Sequence, residues 1–176
     1  LTKHFIDTIV VGTGCAGYNA ADCLHNLGRR NMAIVTEGRN MGTSRNTGSD
    51  KQTYYKLSLS GDERDSVRDL AQTLFAGGSM HGDTALIEAA GSARAFMKLV
   101  ELGVPFPANS YGEYVGYQTD HDQRRRATSA GPLTSKYMTE TLEREVKRRG
   151  IRVIDGLRAI QLLTHENAIK GLVCVD

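Results

Sequence analysis

The 176-residue sequence has only three cysteines, Cys15, Cys23 and Cys174, with no CxxC spacing. That odd, scattered set excludes a thiolate zinc cluster of the usual spacing and offers no disulfide framework, so a reducing, cytoplasmic setting is expected. No apolar run approaches the roughly 20 residues needed to cross a bilayer. Leu1–Lys3 shows no signal-peptide pattern, and peripheral attachment to a membrane through a partner stays open. An excess of one charge is lacking too. With 22 basic and 20 acidic residues, the net charge of +2 gives no argument for nucleic acid or an acidic lipid surface. There is no internal repeat, no low-complexity tract, and no nucleophile elbow to support a Ser–His–Asp triad. What is present is a globular composition, 40% hydrophobic and 24% charged, in a chain long enough for one domain with a sizeable core. The 19 glycines exceed the usual share and gather in loops.

Phe5–Val11 is a short, mostly apolar run that reads as a buried parallel strand. It enters Gly12-Thr13-Gly14-Cys15-Ala16-Gly17, after which Ala20, Leu24 and Leu27 recur at helical spacing and Gly28 fits the helix end. Met32–Thr36 is a second strand, followed by Glu37. Residues 38–56 form a long polar segment. Val67, Leu70, Ala71 and Leu74 predict a short helix. Asp83 is a plausible cap for a longer one, with Leu86, Ala90, Ala93, Met97 and Val100 near one face and Gly103 and Pro105 ending it. Residues 107–118 read as a loop or weak hairpin, and residues 120–133 as a polar, basic stretch. Met138, Leu142 and Val146 mark an amphipathic helix ending at Gly150. Arg152–Ile154 is a third strand, and Ala159–Leu163 and Leu172–Val175 form a hairpin across Glu166-Asn167. Because Gly171–Asp176 stop in mid-strand, the expected reading is the N-terminal part of a larger domain.

Gly12, Gly14 and Gly17 fit GxGxxG, and each glycine has a task. The first allows the tight turn, the second lets a pyrophosphate approach the backbone, and the third lets helix and strand pack closely. The phosphates would sit at the helix N-terminus, where unpaired N–H groups favour negative charge and Cys15 and Ala16 contribute only backbone. Glu37 follows Gly17 by 20 residues, the spacing at which a carboxylate accepts hydrogen bonds from an adenosine ribose. Strand, glycine turn, helix, strand and acid together point to an adenine dinucleotide; the bland alternative is a tight turn without a ligand. An acid at this position disfavours a 2′-phosphate and hence NADP. The fingerprint does not separate FAD from NAD, but the hydroxyl- and amide-rich stretch of residues 39–56 suits the wrapping of a longer dinucleotide.

These segments, in this order, resemble the FAD-binding domain of the succinate dehydrogenase and fumarate reductase flavoprotein family, which includes L-aspartate oxidase. The resemblance runs through IVVGTGCAGYNAA, VTEG, GTSRNTGSDK, GGSMHGDTALIEAAGSARAFMKLVELGVPF and HDQRRRATSAGPLTSKYMTETL to the closing hairpin. It implies an α/β, Rossmann-like fold with a βαβ unit, a mostly parallel sheet and a C-terminal β-hairpin. Residues 1–176 would be the N-terminal part of an FAD-binding domain, with the capping domain and C-terminal return segment outside them. FAD would contact Gly12, Gly14, Cys15, Ala16, Gly17, Glu37, Gly38, Ser44, Arg45, Thr47 and Gly48, with Arg158 or Ala159 near the adenine through backbone. The implied activity is hydride transfer between the flavin N5 and a small organic substrate, a dicarboxylate by family, with a possible electron-transfer partner. The rivals are an NAD-dependent dehydrogenase and a non-catalytic dinucleotide-binding redox module.

Two departures stand out. Many members carry Ala-Gly-Gly after the hydroxyl loop, where this chain has Ser49-Asp50-Lys51-Gln52. A lysine there would either stabilise charge on a reduced flavin or point to solvent, and it puts ordinary succinate–fumarate chemistry in question. Members that tether FAD covalently use a histidine in this loop; Arg45 and Asn46 stand here instead, so non-covalent FAD is expected. Asp120-His121-Asp122 reads as a polar loop rather than a metal site, since consecutive residues seldom converge on one ion. His121 and Arg124 are the substrate-side candidates: His121 by resemblance, and Arg124 because guanidinium suits a carboxylate. An exposed basic loop is the commoner explanation of Arg124-Arg125-Arg126. The substrate-clamping arginine of the family would lie beyond residue 176.

Overall fold

The computed structural model describes residues 2–49, 52–61 and 64–176. Asp50 and Lys51 fall outside them, and with Lys51 goes the expectation of a lysine beside the flavin. The elements in chain order are β1 (Thr8–Val11), α1 (Cys15–Asn26), β2 (Met32–Val35), α2 (Thr43–Asn46), β3 (Tyr54–Tyr55), α3 (Val67–Ala76) and α4 (Gly82–Glu101). Then come β4 (Tyr117–Thr119), β5 (Asp122–Thr128), α5 (Thr134–Arg148), β6 (Arg152–Ile154), β7 (Arg158–His165) and β8 (Ala168–Val175). They divide into two units, one of residues 1–47 and 135–176, the other of residues 48–134.

The first unit is built on a parallel sheet in the order β1-β2-β6. Thr8 pairs with Met32 and Val11 with Val35, while Ala33 pairs with Arg152 and Val35 with Ile154. β2 is central, and all four of its residues are buried, as an unbroken MAIV run requires. β1 is parallel as expected but shorter than the apolar run and not fully buried: Val11 is 57% exposed. Among the described residues β1 has a neighbour on one side only, which explains the difference. α1 ends as its sequence predicts, with the N–H groups of Gly28 and Arg29 returning to the carbonyls of His25 and Leu24. β7 and β8 pair antiparallel, and Glu166 and Asn167 both take positive φ, the two-residue turn that matches strand twist.

The second unit carries an antiparallel sheet in the order β3-β5-β4 beside α3 and α4. Three expectations change here. Residues 120–133 were read as a polar, basic stretch, with an exposed loop favoured at Arg124-Arg125-Arg126, yet they contain β5. Its inward arginine, Arg126, is fully buried because acids neutralise it, so polarity hid a core strand. Asp83 does not cap α4; His81 holds the cap position without a side-chain bond, and Asp83 lies in the first turn. The buried face of α4 is Ala85, Ala89, Ser92, Phe96 and Leu99, one residue off the expected stripe. Phe96 sets that rotation by packing on Tyr54, Phe106 and Tyr114, with ring centroids 4.8–5.6 Å away. Ser92 follows it inward, donating to the Ala89 carbonyl and accepting from the Leu57 N–H.

Candidate functional site

At the C-terminal ends of β1 and β2 the chain leaves a cavity of about 440 Å³. Crevices at this end of parallel strands are where α/β sheets bind ligands. Three segments meet in its wall: the turn at Gly12 and Gly14, Glu37 and Gly38 after β2, and Arg158 and Ala159 at the start of β7. All six were expected cofactor contacts. The backbone explains the turn. Gly12 has φ +99°, and its N–H donates to the Val35 carbonyl at 2.8 Å, tying the turn to β2. A Cβ on Gly17 would lie 2.1 Å from the Gly12 carbonyl oxygen, so only glycine permits this approach of helix to turn.

Seven further positions in the wall were missed: Val11, Val35 and Gly42 as well as Thr13, Thr36, Met41 and Leu157. The two threonines brace the site. Their hydroxyls are 3.0 Å apart, both residues are buried, and both hydroxyls donate to the Gly38 carbonyl at 3.4 and 3.3 Å. The Thr36 carbonyl accepts the Leu157 N–H at 3.0 Å, which draws the entry to β7 against the end of β2. The only sequence signal was a hydroxyl at the variable position of GxG and another immediately before the acid.

The remaining expected contacts do not line the cavity. Cys15, Ala16 and Gly17 form the first turn of α1, where backbone N–H groups have no intrahelical acceptor. The Cys15 N–H faces Ser44 Oγ at 3.4 Å, which puts Ser44 at the N-terminus of α1. The Cys15 thiol lies 3.0 Å from Thr139 Oγ1 and points to structure rather than chemistry. Arg45 is engaged by α5: its guanidinium donates to Glu143 and ion-pairs with Glu140 at 3.6 Å. The Thr47 N–H donates to the Thr43 carbonyl and closes α2. Gly48 belongs to the second unit, packed 3.3–3.5 Å from Leu133 and Pro132 by the position of its would-be Cβ.

The substrate-side candidates are also in the second unit. His121 is exposed in the turn between β4 and β5. Arg124 is bound up with the start of α3, reaching the Arg64 carbonyl, Asp65 at 3.5 Å and Asp69 at 3.4 Å. No cluster of three or more metal-ligating side chains exists among the described residues.

A glycine turn, a brace of hydroxyls and an acid around one crevice have the shape of a nucleotide site, and similarity to known proteins decides its class. Residues 7–176 match the FAD binding domain family. The chain belongs to that family. Its cofactor class is thereby FAD, which resolves the choice that the fingerprint left between FAD and NAD. L-aspartate oxidase of Agrobacterium fabrum is 30% identical to this FAD binding domain over 170 residues, 95% of this chain and 31% of the relative. The chain thus spans less than a third of that relative's length. Among solved structures, Mycobacterium smegmatis Sdh1 superposes with a TM-score of 0.80 at 19% identity, covering 98% of this chain and 31% of that one. E. coli quinol fumarate reductase FrdA gives 0.78 at 18% identity, covering 96% and 29%. These likenesses bear out the α/β fold with its parallel sheet and terminal hairpin.

The chemistry of the cavity fits the adenosine diphosphate half of FAD. Glu37 offers a carboxylate at the end of β2, where a ribose would lie. Its partner is Arg158, which donates from Nη2 at 2.6 Å and from Nε at 3.1 Å. Gly14 and the first turn of α1 present backbone donors to a diphosphate. None of the described helices is long and apolar enough to cross a membrane.

Proposed function

We propose that this chain forms the adenosine- and diphosphate-holding part of an FAD-dependent oxidoreductase acting on a small organic acid. The observation that carries this is the joining of Gly12–Gly14, Glu37 and Arg158–Ala159 in one cavity. When bound, FAD supplies two-electron redox chemistry, with hydride passing between its N5 and the substrate. The residues of this chain bind and orient. Glu37 accepts from the ribose, the Gly14 backbone admits the diphosphate, and Ala16 and Gly17 N–H groups stabilise its charge. Thr13 and Thr36 hold the walls at fixed spacing. The relatives named L-aspartate oxidase and the fumarate reductase neighbour support a dicarboxylate-class substrate and an electron-transfer partner. Residues 38–56 contain no histidine, which supports non-covalent FAD, and an odd set of three cysteines without CxxC spacing supports a cytoplasmic setting. Substrate-side roles for His121 and Arg124 belong to this proposal, the latter weakened by its ion pairs to Asp65 and Asp69.

The test is the visible spectrum of the protein purified at its full natural length, before and after acid denaturation. Flavin bands that leave with the supernatant support non-covalent FAD. A colourless protein that takes up NAD but not added FAD overturns the proposal. A flavin-loaded protein that reduces no artificial acceptor with any of a panel of mono- and dicarboxylic acids is a redox module rather than an oxidoreductase of this class.

A further inference from the structure

The Glu37–Arg158 pair has a geometry that its role as a counter-ion does not require. Arginine facing a carboxylate commonly takes both oxygens in a parallel fork. Here Nη2 and Nε converge on one oxygen, Glu37 Oε1, and among the described residues none donates to Oε2. The pair is open to water, with side chains 66% and 46% exposed, and such a pair adds little to stability. It joins residues 121 positions apart, and both line the cavity that holds the glycine turn. A contact that fixes one oxygen, spares the other and contributes little to folding is suited to orienting a ligand acceptor.

We propose that Arg158 is a positioning residue for the adenosine end of the site: by occupying Glu37 Oε1 it fixes the carboxylate and leaves Oε2 to receive a ribose hydroxyl. This rests on the dinucleotide reading above and adds to it a side-chain role for a residue expected to act through backbone alone. It also gives the site its preference for a free ribose, because the acceptor is held in place before the nucleotide arrives.

The experiment is calorimetric titration of the full-length, cofactor-stripped protein with ADP and with 2′,3′-dideoxy-ADP. Wild-type protein is expected to prefer ADP by about tenfold, the scale of a hydrogen bond to a charged acceptor. Arg158→Ala lowers that ratio towards unity, and Arg158→Lys restores part of it. In a Glu37→Gln background, Arg158→Ala has no further effect on the ratio. A variant that keeps the wild-type ratio, or raises it because the guanidinium competes with ribose, overturns the inference and leaves the nucleotide site standing. Equal wild-type affinity for the two analogues overturns it as well. Wild-type protein that binds no ADP overturns the dinucleotide reading itself.

Discussion

Two arginine–carboxylate assemblies in this chain occupy opposite extremes. In the first unit, Arg158 meets Glu37 in the open, on one oxygen, in a cavity wall. In the second, Arg126 is fully buried and almost saturated. Nε and Nη2 take both oxygens of Asp65 at 2.9 and 2.6 Å, and Nη1 reaches Asp122 at 3.1 Å and Thr73 at 2.8 Å. Asp65 also accepts the N–H groups of Ser58 and Ser66. A saturated assembly has no valence left for a ligand, and its removal strands charge in a dry interior. A half-used assembly at the surface is the reverse. The difference separates a device that specifies the fold of one unit from one that is available to bind.

The largest effect should come from breaking the buried assembly. Arg126→Met leaves Asp122 without its cation and Asp65 with Arg124 alone, at 3.5 Å, and is expected to cost about 3–5 kcal/mol, read as a fall in the urea midpoint. Arg158→Met should leave that midpoint unchanged; equal shifts in the two variants would break the comparison. Next is Gly17→Ala. The new Cβ would sit 2.1 Å from a backbone oxygen that cannot swing away, so the cost is about 3 kcal/mol, with loss of FAD uptake measured by flavin absorbance. Third is acid. Burial works against ionisation of Asp65, yet the hydrogen bonds from Arg126, Ser58 and Ser66 outweigh it and hold its pKa at about 2, below the ordinary 3.8. A lowered carboxylate pKa stabilises the fold above the unfolded value, and that stability is lost as pH falls from about 4 through about 2, on the order of 2 kcal/mol in all. Glu145, held at about 2 by Arg148 and Arg149, titrates in the same window. Comparing wild type with Asp65→Asn by chemical denaturation from pH 5 to 2 apportions the two; an unchanged slope would remove Asp65 from the account.

The same contrast explains what was legible beforehand. The nucleotide side declared itself because backbone demands are written in glycine: Gly12 needs its positive φ and Gly17 its missing Cβ. β2 declared itself through an unbroken apolar run, and the hairpin through Glu166-Asn167 between two strand patterns. β5 did not, since Asp122, Arg124 and Arg126 imitate a solvated loop until Asp65 and Thr73, 53 or more residues from Arg126, supply partners. The one-residue rotation of α4 was hidden for a related reason. Alanine is nearly neutral between faces, so the choice fell to Phe96 and its distant aromatic partners. Thr13 and Thr36 were invisible because a hydroxyl pair has no spacing rule; only the fold brings them to 3.0 Å.

That pair provides the finest test of the comparison, since it is buried like Arg126 yet belongs to the binding unit like Arg158. Thr13→Val keeps the shape and removes one hydroxyl. Thr36 Oγ1 still has the Gly38 N–H and carbonyl at 3.3 Å, so no group is left stranded and the stability cost should be about 1 kcal/mol. The effect on the site should be larger in proportion, because the lost bonds are those that fix Gly38, and through it Glu37, against the glycine turn. The expected result is a small drop in urea midpoint together with a several-fold faster release of FAD, followed by the recovery of flavin fluorescence on dilution. If release is unchanged while the midpoint falls, the threonines serve the sheet end alone. If neither moves, Thr36 suffices as the brace, and the rigidity of the cavity comes from the backbone ties of Gly12 to Val35 and Leu157 to Thr36.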